Sequence, residues 1–168
     1  INRYSWITSG VVLINPLPAI DYLATSTINV QMVLEIAKIY ECKLTKDNAA
    51  ELTKGIISVL ASLGIVKGGL NIITNLLSLN FTTQFINKSA QSITTAWIIR
   101  IVGLSFVRYF QKNQNWGDGG IHEVVQNIYE INKKEELLDK FIKEAVLKLK
   151  RNKDYSYSKK LPPYFHYD

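Results

Sequence analysis

Few side chains in this sequence belong to the types that carry out catalysis. The 168 residues include two histidines, His122 and His166, and one cysteine, Cys42. His122 stands beside Glu123 near the start of a predicted helix, where a surface or capping role is commoner than catalysis, and His166 lies in the C-terminal tail. A lone cysteine usually packs as a small hydrophobic residue, and it cannot form an internal disulfide or a zinc site of paired cysteines. These residues predict neither a catalytic centre nor a metal site.

Two short segments could contact a phosphate group. Lys88-Ser89 resembles the end of a nucleotide-binding P-loop, but no glycine precedes Lys88 at the required spacing. The segment Trp116-Gly-Asp-Gly-Gly could present backbone N–H groups to an anion. A loop in which Asp118 caps the following helix explains the same residues and is the preferred interpretation. The sequence therefore predicts a protein that is not an enzyme and holds no cofactor.

Basic residues exceed acidic ones by 20 to 14, which gives a net charge of +6 with neutral histidines. A basic segment attracts anionic lipid, nucleic acid or an acidic protein surface, although a solvated tail is an equally open interpretation. Nucleic acid is the least favoured partner, because no recognition-helix or aromatic-sheet signature accompanies the charge. Much of the excess lies near the C-terminus, in Lys148, Lys150, Arg151, Lys153, Lys159 and Lys160.

A membrane-spanning helix needs about 20 mostly apolar residues. The longest uncharged runs are 4–20 and 68–87, but Pro16 and Pro18 interrupt the first and several amide side chains the second. Both are predicted to be buried or interfacial helices, with true insertion as the alternative. Aromatic and basic residues together suit the headgroup layer, although the aromatic rings could equally pack in the core. The predicted contacts with a membrane or partner are Arg3, Tyr4, Trp6, Lys148, Lys150, Arg151, Lys153, Tyr155 and Tyr157.

Helical spacing of apolar residues recurs along the chain, and strict alternation never persists. This pattern predicts an all-α fold, a compact bundle of about six to eight helices that is open to membrane association. We expect a helical domain over residues 1–151 and a basic, tyrosine-rich tail over 152–168. The helices are predicted at about 3–14, 18–41, 46–63, 69–79, 81–91, 92–113, 120–131 and 133–151.

Several residues are predicted to shape these helices without contacting a ligand. Pro16 and Pro18 separate the first two helices, and Asp21 then falls in the first turn of the second. Thr45 is predicted to cap the third helix, and Gly64, Gly68 and Gly69 are predicted to mark a break or a close helix contact after it. The buried stripe of the second helix is predicted as Ile28, Met32, Ile36 and Ile39, and that of the last helix as Leu137, Leu138, Phe141, Ile142, Ala145 and Leu149.

Two charges interrupt apolar stretches of predicted helix. Arg100 lies between Ala96 and Val107, and Glu35 lies within the second helix. A buried charge must be paired or hydrogen-bonded. We therefore expect Glu35 and Arg100 either to pair with each other or to lie on exposed edges of their helices, where they fix helix register.

Six segments, taken in order, resemble a known family. They are Asn15-Pro-Leu-Pro-Ala-Ile-Asp21, Gln31-Met-Val33, Ile39-Tyr40, Leu63-Gly-Ile-Val-Lys-Gly68, Tyr109-Phe110 and Trp116-Gly-Asp-Gly-Gly120. Over roughly residues 3–150 the chain is similar to the YcjF-type domain of unknown function, particularly its cyanobacterial version. In that family the domain typically follows an Era-like or dynamin-like GTPase domain. The resemblance supplies no catalytic residue.

The resemblance implies a non-catalytic helical module that attaches a GTPase-type protein to a membrane surface. Its partners would be that surface, or a larger membrane protein complex, and an upstream GTPase domain. It would face a cytoplasm or a plastid stroma, with the thylakoid among the candidate membranes. The alternative is a protein-interaction subunit of a larger complex without a lipid-binding role. A start at Ile1 without methionine suggests a fragment of a longer protein.

Overall fold

Seven helices and no strand make up the part of the chain that the computed structural model describes, residues 1–14, 27–79 and 81–158. The predicted all-α class is therefore confirmed. The helices are α1 (Asn2–Ile14), α2 (Thr27–Ile39), α3 (Lys46–Ser62), α4 (Ile65–Ser78), α5 (Thr83–Gln111), α6 (Gly120–Asn132) and α7 (Glu135–Ser158).

Helix α5 is the centre of the bundle and contacts each of the six other helices that the structure describes. Every residue from Ala96 to Val102 is buried except Arg100, which is half-buried. A helix that is apolar on all sides must be covered on all sides, and the other helices supply that cover. Trp97 and Phe106 are the largest side chains that are buried completely in this core.

The length of α5 corrects one prediction. The sequence suggested separate helices over 81–91 and 92–113, but a single helix runs from Thr83 to Gln111. The polar run near its start contains neither glycine nor proline, so nothing breaks the helix there. The hydroxyls of Ser89, Thr94 and Thr95 each donate to the carbonyl four residues earlier, which keeps these side chains satisfied inside a helix.

Helix α1 lies antiparallel along α5. The hydroxyls of Ser9 and Ser92 are 2.7 Å apart and buried, and Ser92 also donates to the Ser9 carbonyl. At the other end of α1, Ile1 lies so close to Gly103 that a β-carbon on this glycine would fall 2.8 Å from Ile1 Cγ1. Small residues on α5 therefore let the two helices approach closely.

Two glycines define the geometry of α3 and α4. Gly64 has φ of +69°, a left-handed conformation that glycine adopts without strain, and α3 and α4 meet there at 64°. Gly69 packs on the Trp97 ring, since a β-carbon at this position would lie 2.9 Å from Trp97 Cζ3. Of the two alternatives predicted for these glycines, the break is found at Gly64 and the close helix contact at Gly69.

Some boundaries and faces differ from expectation. Ile39 is 77% exposed, so the predicted stripe of α2 is wrong at its last residue; the helix ends there, and the chain turns away with Glu41 at φ of +56°. Leu137 is also largely exposed, at 44%. Helix α7 continues to Ser158, past the predicted end near Arg151.

Thr45 caps α3 as predicted, since its Oγ1 accepts a hydrogen bond from the Asn48 N–H at 3.2 Å. We expect Thr45→Ala to lower the free energy of unfolding by about 1 kcal/mol, measured by urea denaturation. Thr82 is the matched control, because it occupies the same position before α5 but makes no side-chain capping bond. An equal loss in Thr82→Ala would show that the Thr45 hydroxyl is not the cause.

Candidate functional site

Helix α7 combines an apolar face with a basic C-terminal half. Its apolar face joins the core through Leu138, Phe141, Ile142, Ala145, Val146 and Leu149. Its polar residues run from acidic to basic, from Glu135 and Glu136 in the first turn to Lys150 and Arg151. We call the basic half and the rings it contacts the α7 surface, composed of Trp6, Phe81, Phe141, Leu147, Lys148, Lys150 and Arg151.

Trp6 connects α1 to the α7 surface. Its ring stacks on Phe141 with centroids 5.4 Å apart and planes 12° apart. The ammonium of Lys148 lies 5.3 Å from the Trp6 ring centroid, within the range of a cation–π contact. The structure thus brings together two residues, Trp6 and Lys148, that the sequence placed at opposite ends of the chain.

A second cation–π contact lies at the turn between α4 and α5. Lys150 Nζ is 5.9 Å from the Phe81 ring centroid, and Phe81 stacks on Phe85 at 5.0 Å. Close by in sequence, Leu79 is 76% exposed, and on α7 Leu147 is 62% exposed. Basic groups and accessible apolar side chains therefore occur side by side at this end of the bundle.

The basic residues of the α7 surface have few acidic neighbours among the side chains that the structure describes. Lys148 lies 3.9 Å from Glu144, a long contact between side chains that are each more than 40% exposed. Among the side chains that the structure describes, which on α7 end at Arg151, no carboxylate lies within salt-bridge distance of Lys150 or Arg151. This surface can therefore attract an anionic partner over a distance of about a Debye length.

Tyr4 and Glu35 form a polar contact between α1 and α2. Tyr4 is buried, so its side chain belongs to the core and not to an exposed contact surface; its hydroxyl donates to the Glu35 carboxylate. Burial, followed by this hydrogen bond, raises the pKa of Tyr4. The same bond is the main reason why the pKa of Glu35 is lowered, and Gln31 adds a second hydrogen bond. Arg3 is exposed beside them.

Arg100 does not pair with Glu35. Its Nε donates to Asn132 Oδ1 at 3.3 Å, and its Nη1 donates to Asn2 Oδ1 at 3.0 Å. Both charges are half-buried, and each has polar partners of its own. Arg100 thus ties α5 to the end of α6 and to the start of α1.

The loop before α6 also differs from expectation. Trp116 packs as a structural residue, with its ring centroid 4.4 Å from that of Tyr109. Asp118, however, is not the helix cap: Gly119 occupies the cap position, and no side chain bonds to the first turn. Gly117 and Gly120 both have positive φ, 81° and 67°, and these turns place Asp118 one residue too early to cap.

Some predicted residues lie outside the described structure. Pro16, Pro18 and Asp21 fall in the undescribed residues 15–26, and the side chains of Lys153, Tyr155 and Tyr157 are likewise outside the description. The sequence also missed Phe81 and Phe141 as members of the α7 surface. Among the described residues, no three His, Cys, Asp or Glu side chains lie close enough to hold a metal ion.

Residues 1–134 match the model of a protein family described as a domain of unknown function, DUF697. The chain belongs to the DUF697 family. The matched residues contain α1 to α6, and α7 begins directly after them. Searches of curated proteins and of solved structures give no match. The resemblance to a domain of unknown function is thus confirmed, whereas the GTPase link and the cyanobacterial or plastid origin stay predictions.

Within the part of the chain that the structure describes, one helix is long and apolar enough to cross a membrane, the part of α5 from Ser89 to Gln111. The bent pair α3 and α4 also passes this test of length and composition when taken as one span. In α5, 78% of the apolar window is buried inside the bundle, as in the core helix of a water-soluble protein. This helix is not one of the two uncharged runs singled out in the sequence: run 68–87 overlaps the bent pair at α4, and run 4–20 lies partly outside the described residues.

Proposed function

We propose that this protein is a non-catalytic module that attaches to a membrane surface containing anionic lipid, and that it does so through the α7 surface. The observation that carries the proposal is the occurrence of Lys150 and Arg151, which have no carboxylate partner among the described side chains, beside exposed Leu79 and Leu147 and half-buried Phe81. Basic side chains are attracted to anionic headgroups, and aromatic and leucine side chains enter the headgroup layer beneath them.

The orientation follows from the same residues. Lys148 and Lys150 each lie over an aromatic ring, so their ammonium groups are held beside apolar surface. A helix with this arrangement lies in the interface plane with its basic groups at headgroup level. The bundle, including α5, then stays outside the hydrocarbon layer.

The proposed partner within the same protein is a GTPase domain upstream of the DUF697 domain, which rests on the resemblance of residues 3–150 to a domain that accompanies such GTPases. The module would then bring the GTPase to a membrane facing a cytoplasm or plastid stroma. It would supply attachment and no reacting group.

Liposome flotation tests the proposal. We expect the chain to float with vesicles containing phosphatidylserine at low salt, and to be released as salt screens the charges. Vesicles of phosphatidylcholine alone should not bind. Flotation with neutral vesicles that resists salt would mean inserted apolar helices, and no flotation under any condition would exclude attachment to lipid.

A second candidate is a protein-interaction subunit in a larger complex. The observation in its favour is the open, largely apolar groove of about 590 Å³ beside Ile39, at the end of α2, with Ile1 and Val107 among its walls. A protein partner held there by apolar contact would resist salt, whereas attachment through the α7 surface would not.

A further inference from the structure

A cleft of about 220 Å³ lies between the DUF697 domain and α7. The domain contributes Asn2, Trp97, Arg100 and Asn132, and α7 contributes Lys140 and Glu144. We call it the Arg100 cleft. Leu137 and Phe141 of α7 complete the lining. Phe141 is shared with the α7 surface, but none of the basic residues of that surface lines the cleft, so what binds here can be tested separately from membrane attachment.

The guanidinium of Arg100 is incompletely satisfied. It carries five N–H donors, of which two are used, and both acceptors are neutral amide oxygens, on Asn132 and Asn2. No carboxylate in the described residues lies within salt-bridge distance of it. As far as the described side chains go, an arginine in the central apolar helix thus keeps free donors and a charge without a carboxylate partner at the edge of a cleft.

The guanidinium is also held in place. The Asn132 Nδ2 group donates to the Ile128 carbonyl at 2.8 Å, which turns Oδ1 of the same amide toward Arg100. Asn132 is buried, and Arg100 is therefore fixed from the side of α6 before any ligand arrives. A preorganised donor group loses little entropy on binding an anion.

The rest of the cleft is net positive. Lys140 is exposed on the α7 wall and has no carboxylate partner among the described residues. The one acid in the lining, Glu144, is 3.9 Å from Lys148. Two cations therefore face this cleft against a single carboxylate that has another cation beside it.

We propose that the Arg100 cleft binds a phosphate group, with the free N–H donors of Arg100 on its oxygens and Lys140 supplying a second charge. The planar guanidinium matches two oxygens of one phosphate, and charge-assisted bonds of this kind are stronger than neutral ones. A bound phosphate would bridge α5 and α7 and so fix α7 to the DUF697 domain. The phosphate belongs either to a lipid headgroup or to a soluble molecule.

The test is titration of the 168-residue chain with inorganic phosphate against chloride at equal ionic strength. The readout is the indole N–H resonance of Trp97, which lines the cleft, identified by its loss in Trp97→Phe. We expect a saturable shift of this resonance. Arg100→Gln should weaken binding about tenfold or more, and Lys140→Gln about threefold.

Lys143→Gln is the matched control, because it removes the same charge from the same helix at an exposed residue paired with Asp139, outside the cleft. It should change the affinity less than about twofold. No saturable shift in the parent chain, or an equal loss in Lys143→Gln, would overturn the proposal. If Arg100→Gln does not fold, the comparison of Lys140→Gln with Lys143→Gln still tests the site, because both lysines are exposed.

Glycerol 3-phosphate and phosphatidylserine vesicles identify the source of the phosphate. A Trp97 shift with vesicles that Lys140→Gln weakens and Lys143→Gln does not assigns the cleft to a headgroup, and a shift with glycerol 3-phosphate alone assigns it to a soluble phosphate. Both results support the site. Vesicle binding by the α7 surface without any Trp97 shift would leave membrane attachment intact and contradict the cleft.

Discussion

The triple variant Lys148→Gln, Lys150→Gln, Arg151→Gln is expected to bind phosphatidylserine vesicles about 100-fold more weakly than the parent chain. Each basic residue near an anionic surface contributes about 1 kcal/mol, so three together contribute about 3 kcal/mol. The loss should be largest at low salt, because screening already weakens the parent chain at high salt. Vesicle sedimentation over a range of lipid concentrations measures the ratio.

A second triple variant, Lys43→Gln, Lys54→Gln, Lys67→Gln, is the matched control. These three lysines are exposed on or near α3 and α4 and take no part in the α7 surface. Both variants remove three positive charges, so a difference between their vesicle affinities reflects where the charges lie and not the net charge. Equal losses in the two variants would mean that overall charge alone drives binding, and the α7 surface would lose its assigned role.

The effect of Gly69→Ala on the free energy of unfolding is expected to change sign when the residue packed against it, Trp97, is replaced. In the parent chain the new methyl group would lie 2.9 Å from Cζ3 and 3.2 Å from Cε3 of Trp97, inside a closely packed core. Overpacking of this kind costs about 1–3 kcal/mol. In a Trp97→Phe background the larger indole ring is gone, and alanine should recover the helix propensity that glycine lacks, about 1 kcal/mol.

A double-mutant cycle by urea denaturation measures this coupling, which we expect to be about 2 kcal/mol or more. Gly68→Ala provides the comparison on the same turn of α4, since its nearest neighbour would be the Tyr129 hydroxyl at an ordinary 3.8 Å. The effect of Gly68→Ala on the free energy of unfolding should depend little on the residue at position 97. Additive effects of Gly69→Ala and Trp97→Phe would mean that the helices move apart at no cost.

Features set by neighbouring residues were predictable from the sequence. The Thr45 cap depends on one hydroxyl and an N–H three residues on, and the Gly64 break depends on a backbone conformation that glycine accepts. Features set by packing between helices were not predictable in this way. The burial of Tyr4 depends on α2 lying against α1, and no pattern within α1 distinguishes it from exposed Ile7.

The same distinction holds for the candidate site. The basic residues of α7 were visible in the sequence as a cluster of charge. Phe81 was not, because its contact with Lys150 joins positions far apart in the chain. Phe141 was predicted as a buried residue of α7, yet its stacking on Trp6 follows only once α1 and α7 are placed side by side.

Helix α7 begins where the match to the family ends, yet Phe141 and Lys148 on it cover Trp6 within the matched part. A recombinant fragment cut at residue 134 would therefore leave this indole and the apolar wall around it open to water. Such a surface promotes self-association. The unit recognised by family similarity is consequently shorter than the unit whose apolar surface is covered, and α7 belongs in any fragment chosen for biochemical work.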